Sequence, residues 1–336
     1  MEFKKYNSIE NAYQTEVLEQ IIKHGFEKET YVVQEKVHGA NFSFHTDGSE
    51  VKIAKRSGFI EENEVFYNAQ TVAKNYYERV VNLFAKVKER FPETQTIAIF
   101  GELYGGFYNH PNVTPNKEAI KVQKGIDYNP DNDFYAFDIK INENEFMDVE
   151  LANEFFEIIG FFYAKTLFKG SLKEALEYPN DFNSLIPAWL GLPVLENNVA
   201  EGVIIRPGKT HFFGNGSRVI LKNKNEKWSE KSKDRSERRP TETVVLSEVA
   251  ENVWNELQLF LTINRLYNVL SKEGEFTPKI MGKLIGLFAQ DALTDFMKEH
   301  SSAFDELEKE ERKLITKRLN NSSTKLIKEE FMTLKV

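Results

Sequence analysis

The sequence predicts an α+β fold, with a mixed N-terminal domain of strands and helices and a small all-helical C-terminal domain. Strand-like runs of alternating apolar and polar residues lie in the first two thirds of the chain, separated by loops of Gly, Pro, Asn and Asp. From Val244 onward, apolar residues recur only at the spacing of helices. A length of 336 residues agrees with roughly two domains.

The N-terminal domain is expected to contain helices between its strands. Apolar residues at helical spacing predict one helix over 13–24 and a second around 80–91. The Asp47-Gly48 pair predicts a turn between two strands, and the loop 211–218 is expected to be a hairpin turn. The predicted strands are 30–37, 41–46, 51–55, 96–103, 133–140, 201–206 and 217–222.

A polar segment separates the two domains. Residues 223–243 contain Pro240 and few apolar side chains, which is typical of a linker. We therefore expect one domain over 1–240 and a second over 241–336.

The C-terminal domain is predicted to consist of helices alone. An apolar stripe that begins at Val245 predicts a helix that continues to Leu270. Thr277 followed by Pro278 has the residue types of a helix start, with Thr as the cap and Pro at the first helical position. Further helices are expected over 278–298 and 302–318.

Composition excludes several classes of protein. The chain has no cysteine, which rules out a disulfide framework, a thiol nucleophile and a cysteine metal site. The N-terminus lacks the apolar core of a signal peptide, and no stretch is as long and apolar as a membrane span, so an intracellular protein is expected. A monomer is assumed by default. The net charge of −8 disfavours a protein that is basic all over, but the basic stretch 222–239 leaves room for a basic groove.

A lysine at the end of a predicted strand is the first candidate for chemistry. Lys36 lies in EKVHGANF, three residues before Gly39, and by itself such a lysine is most often an ordinary edge residue. Other charged and aromatic residues follow at strand ends in a fixed order, namely Arg56 in AKRSG, Glu102 in IFGEL, Phe137 in YAFDI, Glu201 in EGVIIRP, and Lys222 and Lys224 in LKNK.

This ordered series resembles the motifs of covalent nucleotidyltransferases, the group that includes polynucleotide ligases and messenger-RNA capping enzymes. His38 and Asn41 make the first motif K-x-H-G-x-N, which is similar to the RNA ligase 2 branch. The resemblance implies a nucleotidyltransferase (ATP-grasp-like) domain of antiparallel sheets with helices. Segments similar to mitochondrial RNA-editing ligases are GELYGG at 101–106, HPNV at 110–113 and VQKGIDYNP at 122–130, and residues 263–291 are similar to the C-terminal domain of phage-type RNA ligase 2.

The resemblance implies an ATP-dependent RNA ligase. Such an enzyme seals nicks between a 3′-OH and a 5′-phosphate in duplex RNA or RNA–DNA hybrids, through lysyl-AMP and adenylylated 5′ ends. It requires ATP and Mg²⁺ or Mn²⁺, and its partner is nicked duplex nucleic acid.

Lys36 would be the nucleophile that attacks the α-phosphate of ATP. A free lysine has a pKa of about 10.4, and neighbouring cations favour its neutral form. Lys222 and Lys224 would supply such a field while holding the phosphates, and the planar fork of Arg56 would bind a phosphate. Without the rest of the series, each would be interpreted as a solvated strand residue.

The remaining nucleotide contacts are assigned through the resemblance. Glu201 would bind the metal ion, and Glu102 would bind the ribose hydroxyls and contribute to the metal through water, since hard cations prefer oxygen ligands. Phe137 would stack on adenine, although it could also be plain core. The backbone at Glu35 and Val37 would contact the adenine edge, and Asn41 the ribose or a phosphate.

Nucleic-acid contacts are assigned in the same way. Phe66, Tyr67 and Ala40 match positions near the 3′-OH end of the nick, with packing of the aromatic pair into the core as the alternative. Arg206 could contact a phosphate. Arg265 and Asp291 match C-terminal positions used in nick engagement or sealing, with a helix–helix ion pair as the alternative. For His38, two roles stay open, orienting the lysine or filling a strand position.

Two other functions fit part of the pattern. A GTP-dependent capping enzyme shares the lysine series, but it usually carries an OB-fold barrel after the catalytic domain. A relative that binds RNA without catalysis would keep the fold, although every charged motif position here holds a competent residue.

Overall fold

The computed structural model describes residues 1–143, 145–229, 246–300 and 303–332. The chain divides into two compact units, one of residues 1–225 with 271–274 and the other of residues 226–270 with 275–336. The boundary predicted between residues 240 and 241 lies outside the described residues. Within the described ranges, no helix is both long and apolar enough to cross a membrane.

The order of elements confirms the α+β class with a helical C-terminal region. The strands are β1 Glu10–Asn11, β2 Tyr31–Glu35, β3 Ala40–Thr46, β4 Val51–Lys55, β5 Gly58–Phe59, β6 Ile97–Phe107, β7 Asn129–Ile141, β8 Glu145–Phe146, β9 Thr166–Gly170, β10 Gly202–Pro207 and β11 Leu221–Lys224. The helices are α1 Thr15–Lys23, α2 Ala69–Arg90, α3 Val149–Ile159, α4 Leu172–Leu176, α5 Ile186–Trp189, α6 Glu248–Leu257, α7 Ile263–Ser271, α8 Met281–His300 and α9 Lys309–Met332.

Two sheets form the first unit. Among the described residues, five strands make one sheet in the order β1-β11-β10-β2-β9, and six make the other in the order β5-β4-β3-β6-β7-β8. Neighbouring strands are antiparallel throughout, except that β1 runs parallel to β11. This confirms the antiparallel sheets that the resemblance implied.

Side-chain alternation decides which face of each sheet carries chemistry. In the six-stranded sheet, residues such as Phe42 and Ile99 point into a core shared with α2 and α3. In the five-stranded sheet, Val33 and Val203 point into a second core with Ile21 of α1. Polar residues at the alternate positions therefore lie on the opposite face of each sheet, away from these cores.

Some predicted elements differ from the observed ones. The strand expected over 217–222 begins later, as β11 at Leu221. Arg218 makes only an isolated bridge with Phe212 across the hairpin turn, so the regular strand does not include it. The single helix expected to run to Leu270 is broken by the 3₁₀ turn Gln258–Phe260 between α6 and α7. The elements α3 and β9 were not predicted, although Val149, Ala152 and Phe156 of α3 have the apolar spacing of a helix.

A buried ionic cluster joins the two sheets. Asp138 on β7 is fully buried and accepts hydrogen bonds from Arg206 Nη1 at 2.8 Å and Arg218 Nη1 at 2.6 Å. Tyr6 OH donates to the same carboxylate at 2.5 Å. Burial would raise the pKa of Asp138, but the two arginines hold it below the usual range. Because a buried charge needs partners, this cluster fixes β10 against β7.

The structure corrects the expected phosphate contact of Arg206. Its side chain is 2% exposed, and its remaining donors reach Gln34 Oε1 at 3.0 Å and the Phe137 carbonyl at 2.8 Å. The guanidinium is therefore occupied by acceptors within the protein.

The second unit packs its helices around separate apolar clusters. One cluster includes Trp254, Phe260 and Phe296. Arg265 on α7 is 2% exposed and donates to Asp291 at 2.5 Å and Asp295 at 2.9 Å, both on α8. The helix–helix ion pair considered as the alternative is thus present, and it involves a second carboxylate four residues further along.

Candidate active site

The candidate nucleophile lies directly after β2, in the turn 36–39. The backbone N–H of Lys36 donates to the Gly202 carbonyl at 2.9 Å, at the start of β10. Gly202 has a φ of +136°, and a Cβ there would lie 2.1 Å from the Asn223 carbonyl oxygen. Glycine is required at this position because any side chain would clash with β11. The close packing of Gly202 against β11 and its hydrogen bond to Lys36 place the preceding residue, Glu201, beside Lys36.

Glu201 lies between three basic side chains. Lys36 Nζ is 2.7 Å from Oε2, Lys224 Nζ is 2.8 Å from Oε1, and His38 Nδ1 is 3.2 Å from Oε2. The carboxylate is only 1% exposed. Burial would raise its pKa, but attraction to Lys224, Lys36 and His38 holds the pKa well below the ordinary value. Glu201 is therefore a fixed anion in a basic environment.

This arrangement holds Lys36 on the carboxylate of Glu201. An amine that donates to a carboxylate must leave it and lose a proton before it can attack phosphorus. Lys36 retains some exposure, 19% of its side chain, whereas Glu201 has almost none. The lysine can therefore meet an incoming phosphate while the carboxylate stays in place.

Lys222 and Lys224 project from the same face of β11, as their spacing predicts. Lys222 pairs with Ile204 and Lys224 with Gly202 across β10. Both lysines are half-buried. Their strand thus presents two cations on the side where Glu201 lies.

The six-stranded sheet contributes a second group of polar residues. Asn41 and Glu102 are direct partners between β3 and β6. Burial raises the pKa of Glu102 to about 7, with Lys36 and Arg56 acting in the opposite direction. Burial lowers the pKa of Arg56, and Glu102 opposes this. These mutual influences place Glu102, Arg56 and Lys36 in one electrostatic environment.

Phe137 occupies a β-bulge. Between Phe100 and Gly101 the register of β6 with β7 shifts, so that Phe137 is the extra residue on β7. Its ring is half-buried and packs edge-on against Tyr6, with ring centroids 5.1 Å apart. The bulge turns Phe137 toward the face that carries Glu102. The part of the ring that stays exposed leaves room for stacking.

Glu35, next to the lysine, has a buried side chain. Its carboxylate accepts hydrogen bonds from Ser184 Oγ at 2.6 Å and the Leu185 N–H at 2.9 Å. Burial raises its pKa to about 7, although these two donors oppose the shift. Val37 is also buried, at 3% exposure. The backbone of both residues therefore has a rigid setting beside Lys36.

His38 is placed by two contacts. Its ring reaches Glu201, and its backbone N–H donates to the Tyr128 hydroxyl at 2.8 Å. Burial lowers the pKa of His38, while Glu201 opposes that shift. Of the two roles that the sequence left open, the geometry favours orientation of the site over filling a strand position.

The expected nucleic-acid residues of the first unit are mostly buried. Ala40 is 0% and Phe66 1% exposed, and both belong to the core cluster of the six-stranded sheet. The packing into the core that was considered as the alternative is thus present for Phe66, and neither side chain offers free surface. Tyr67 is half-buried and has a φ of +46°, an uncommon backbone conformation for a bulky residue.

Sequence reasoning missed several residues that support the site. Ser184 lies in no motif, and Tyr128 lies in the segment 122–130 without an assigned role, since each acts through one hydrogen bond across the fold. Asp295 could have been found, because it lies one helical turn after Asp291 on an otherwise apolar face.

The carboxylates of Glu201 and Glu102 suit a metal ion whose other ligands are water molecules and substrate phosphates. Among the described residues there is no group of three or more His, Cys, Asp or Glu side chains that could hold a metal. Glu201 and Glu102 offer carboxylate oxygens, the ligands that Mg²⁺ prefers, and Mg²⁺ usually keeps several waters and binds substrate phosphates.

Comparison with known families gives two matches along the chain. A family model described as RNA ligase matches residues 29–224, more than half of the sequence. A model described as T4 RNA ligase 2 C-terminal matches residues 243–325.

Curated relatives match over most of their length. RNA-editing ligase 2, mitochondrial, of Trypanosoma brucei brucei is 28% identical over 351 residues, covering 88% of this chain and 83% of that protein. RNA-editing ligase 1, mitochondrial, of the same organism is 27% identical over 400 residues, covering 99% and 84%.

Similarity to solved structures is weaker. A mutant of Naegleria gruberi RNA ligase with ATP and Mn aligns at 14% identity and a TM-score of 0.43. The alignment covers 67% of this chain and 57% of that one, so this chain spans less than two thirds of the solved structure. At this level the structural likeness carries no argument.

Proposed function

Because this chain belongs to the RNA ligase family and carries a region of the T4 RNA ligase 2 C-terminal type, we propose that it is an ATP-dependent nick-sealing RNA ligase. Its substrates are 3′-OH/5′-phosphate nicks in duplex RNA or RNA–DNA hybrids. The observation that carries the proposal is the buried Glu201, with Lys36 on one oxygen and Lys224 on the other.

The first step forms lysyl-AMP. Lys36 leaves Glu201, loses a proton to solvent and attacks the α-phosphorus of ATP. A P–N bond forms, the bond between the α-phosphorus and the bridging oxygen breaks, and pyrophosphate leaves. Lys224 and Lys222 offset the negative charge of the phosphates, and Arg56 holds one of them in place.

Two further transfers complete sealing. A 5′-phosphate oxygen attacks the phosphorus of lysyl-AMP, the P–N bond breaks, and Lys36 takes up a proton. The 3′-OH then attacks the 5′-phosphorus, releasing AMP and forming the phosphodiester bond. The hydroxyl proton goes to solvent.

The nucleotide is held by both sheets. Phe137 stacks on adenine, and the backbone at Glu35 and Val37 contacts the adenine edge. Glu102 binds the ribose, and Asn41 contacts the ribose or a phosphate. Glu201, with Glu102 through water, would hold Mg²⁺ or Mn²⁺, which would supply charge neutralisation at the phosphates when bound.

The interactions with nucleic acid are the least direct part of the proposal. Tyr67 lies near the 3′-OH end of the nick, where Ala40 and Phe66 support it from the core. The pair of Arg265 and Asp291 contributes to nick engagement through the second unit. The chain acts as a monomer on RNA inside the cell.

GTP-dependent capping is not favoured as the alternative. Capping enzymes carry an OB-fold barrel after the catalytic domain, whereas elements α6 to α9 are helices and the match over 243–325 is to a ligase region. An inactive RNA-binding relative is not favoured either, because Lys36, Glu201 and Lys224 are assembled in contact.

Covalent labelling tests the proposal. With labelled ATP and Mg²⁺, the protein should acquire acid-labile AMP, and Lys36→Ala should reduce this labelling to background because no other residue supplies the nucleophile. The wild-type chain should seal a nicked RNA duplex, whereas Lys36→Ala should not.

Lys52→Ala is the matched control. Lys52 is a partly exposed lysine on β4 that pairs with Glu50 at 2.9 Å, so its loss should leave labelling unchanged. Persistent labelling of Lys36→Ala would refute the assignment of the nucleophile, and labelling by GTP instead of ATP would indicate capping.

A further inference from the structure

The segment 122–128 between β6 and β7 has no role in the chemistry described above. It contains most of the VQKGIDYNP motif and is largely buried, with Gln123 7% and Tyr128 2% exposed. A buried polar segment beside a catalytic turn needs hydrogen-bond partners. Those partners lie in the lysine turn 36–39 and in the chain that leads to Glu201.

Tyr128 makes the contact nearest to the nucleophile. Its hydroxyl accepts the hydrogen bond of the His38 N–H at 2.8 Å. The ring packs edge-on against Tyr104, with centroids 5.8 Å apart, so the hydroxyl has a fixed position. The turn is held at a residue only two positions from Lys36.

Two more hydrogen bonds complete the support of the turn. Gln123 Nε2 donates to the Gly39 carbonyl at 3.0 Å, and the Lys36 N–H donates to Gly202 at 2.9 Å. The turn lies between β2 and β3 and outside both strands. Its backbone geometry therefore depends on these individual bonds rather than on a strand ladder.

Asp127, next to Tyr128, ties the segment to the Glu201 side of the site. Asn198 Oδ1 accepts from the Asp127 N–H at 2.9 Å, and Asn198 Nδ2 donates to the Asp127 carbonyl at 2.6 Å. Asn198 lies three residues before Glu201. The segment thus contacts both pieces of chain that bring Lys36 and Glu201 together.

We propose that Tyr128 is a positioning residue for the first chemical step. By holding the His38 backbone it keeps Lys36 aligned for attack and keeps the His38 ring on Glu201 Oε2, the oxygen that Lys36 shares. The inference rests on the proposed function, since it assigns a role within lysyl-AMP formation. Small displacements of a reacting group lower the rate strongly, by as much as about 100-fold per ångström.

The Tyr128 hydroxyl stays neutral under working conditions. Burial raises its pKa well above the ordinary value, and the nearby carboxyl of Glu35 adds to this. A neutral hydroxyl can accept the His38 N–H without placing a charge beside Glu201.

Tyr128→Phe in the full-length chain removes the acceptor and keeps the ring. Two reactions are measured, single-turnover lysyl-AMP formation at saturating ATP and Mg²⁺, and sealing of a nick whose 5′ end is already adenylylated. The second reaction needs no nucleophilic lysine. We expect the first rate to fall about tenfold or more and the second to change by less than about twofold.

Tyr108→Phe is the matched control. Tyr108 is also a buried tyrosine in the β6–β7 connection, and its hydroxyl donates to the Pro193 carbonyl, away from the lysine turn. Both rates should stay at the wild-type level in this variant. Gln123→Met serves as a second variant, and we expect a smaller fall in lysyl-AMP formation alone because it loses one donor to the turn.

Three results would overturn the inference. Wild-type rates of lysyl-AMP formation in Tyr128→Phe would remove the positioning role. A parallel fall in both reactions would show general damage to the fold. If the wild-type chain itself acquires no AMP, the proposed function fails and the inference fails with it, so the two failures are distinguishable.

Discussion

Glu201 shows how a single buried carboxylate can organise a basic site. Lys36 and Lys224 would repel each other if they were brought together alone, and a buried carboxylate without partners would be strongly unfavourable. Together they compensate, with Lys36 and Lys224 on separate oxygens and His38 on the oxygen shared with Lys36. The same contact that stabilises the site must be released for chemistry to begin.

Glu35 gives a prediction for stability against pH. Its pKa rises from 4.5 in the unfolded chain to about 7 in the folded one, so the native carboxyl keeps its proton where the unfolded one has lost it. Its contribution to the free energy of unfolding is complete below pH 4.5 and is lost as the pH rises through about 7. The Glu35→Gln variant has no carboxyl to ionise at this position, so it does not lose stability in this way. The free energy of unfolding of the variant, relative to that of the wild-type chain, should rise by about 3 kcal/mol between pH 4.5 and 8.

Urea titrations at several pH values measure this difference. The Gln side chain can keep both contacts, because its oxygen can accept from Leu185 while its amide donates to the Ser184 hydroxyl. Glu154→Gln, at an exposed position on α3, is the control and should leave the pH dependence of stability unchanged. An unchanged pH dependence in Glu35→Gln would contradict the prediction.

Among the secondary-structure elements, irregular features of the strands position the proposed nucleotide contacts. The β7 bulge turns Phe137 toward Glu102, and the Arg206 guanidinium fixes the bulge by donating to the Phe137 carbonyl. Asp138 follows directly and pairs with Arg206 and Arg218. A regular strand would put Phe137 and Asp138 on opposite faces, so the bulge is what combines an exposed ring with a buried anchor.

The paired glycines at the end of β6 predict the effect of one substitution. Gly106 has a φ of +88°, and a Cβ there would lie 2.1 Å from the Ile120 carbonyl oxygen. Gly106→Ala should lower the free energy of unfolding by about 2 kcal/mol or more, because it combines backbone strain with a clash. It should also slow lysyl-AMP formation, since the displaced chain leads into the segment 122–128.

Gly58→Ala is the control for this substitution. A Cβ at Gly58 has nothing within 4 Å, and Gly58 also lies in a strand of the six-stranded sheet. Chemical denaturation should find its stability close to wild type. Equal stability of Gly106→Ala and Gly58→Ala would show that the nearby Ile120 carbonyl does not prevent a side chain at position 106.

At the scale of the whole molecule, every residue assigned to the ATP site belongs to the first unit. Arg265→Ala should therefore destabilise the second unit without abolishing lysyl-AMP formation. Loss of the guanidinium leaves Asp291 and Asp295 without their shared cation. Because these carboxylates are 27% and 26% exposed, we expect a cost of about 1 to 3 kcal/mol.

Calorimetry and the labelling assay, applied to the same variant, separate these effects. Arg312→Ala is the control, since its side chain is 40% exposed and only 4.0 Å from Asp305, a contact worth little. If Arg265→Ala lost AMP labelling while its thermal transition matched that of wild type, the independence of the ATP site would be disproved.

The class of fold and a set of candidate reactive residues can be predicted from the sequence alone. Helical and alternating apolar spacing distinguish the two parts of the chain, because side-chain period follows directly from backbone geometry. The order of Lys36, Glu102, Glu201 and Lys224 carried the resemblance to ligases, and the family match over 29–224 agrees with it.

The contacts of each supporting residue, in contrast, become visible only in the folded structure. Arg206 and Arg265 have the charge of phosphate-binding residues, yet both are buried on carboxylates. His38 and Tyr128 are 90 positions apart, and no local pattern predicts a hydrogen bond between them. Burial and hydrogen bonding across the fold depend on how distant strands and loops are brought together, and side-chain periodicity along one segment carries no information about that arrangement.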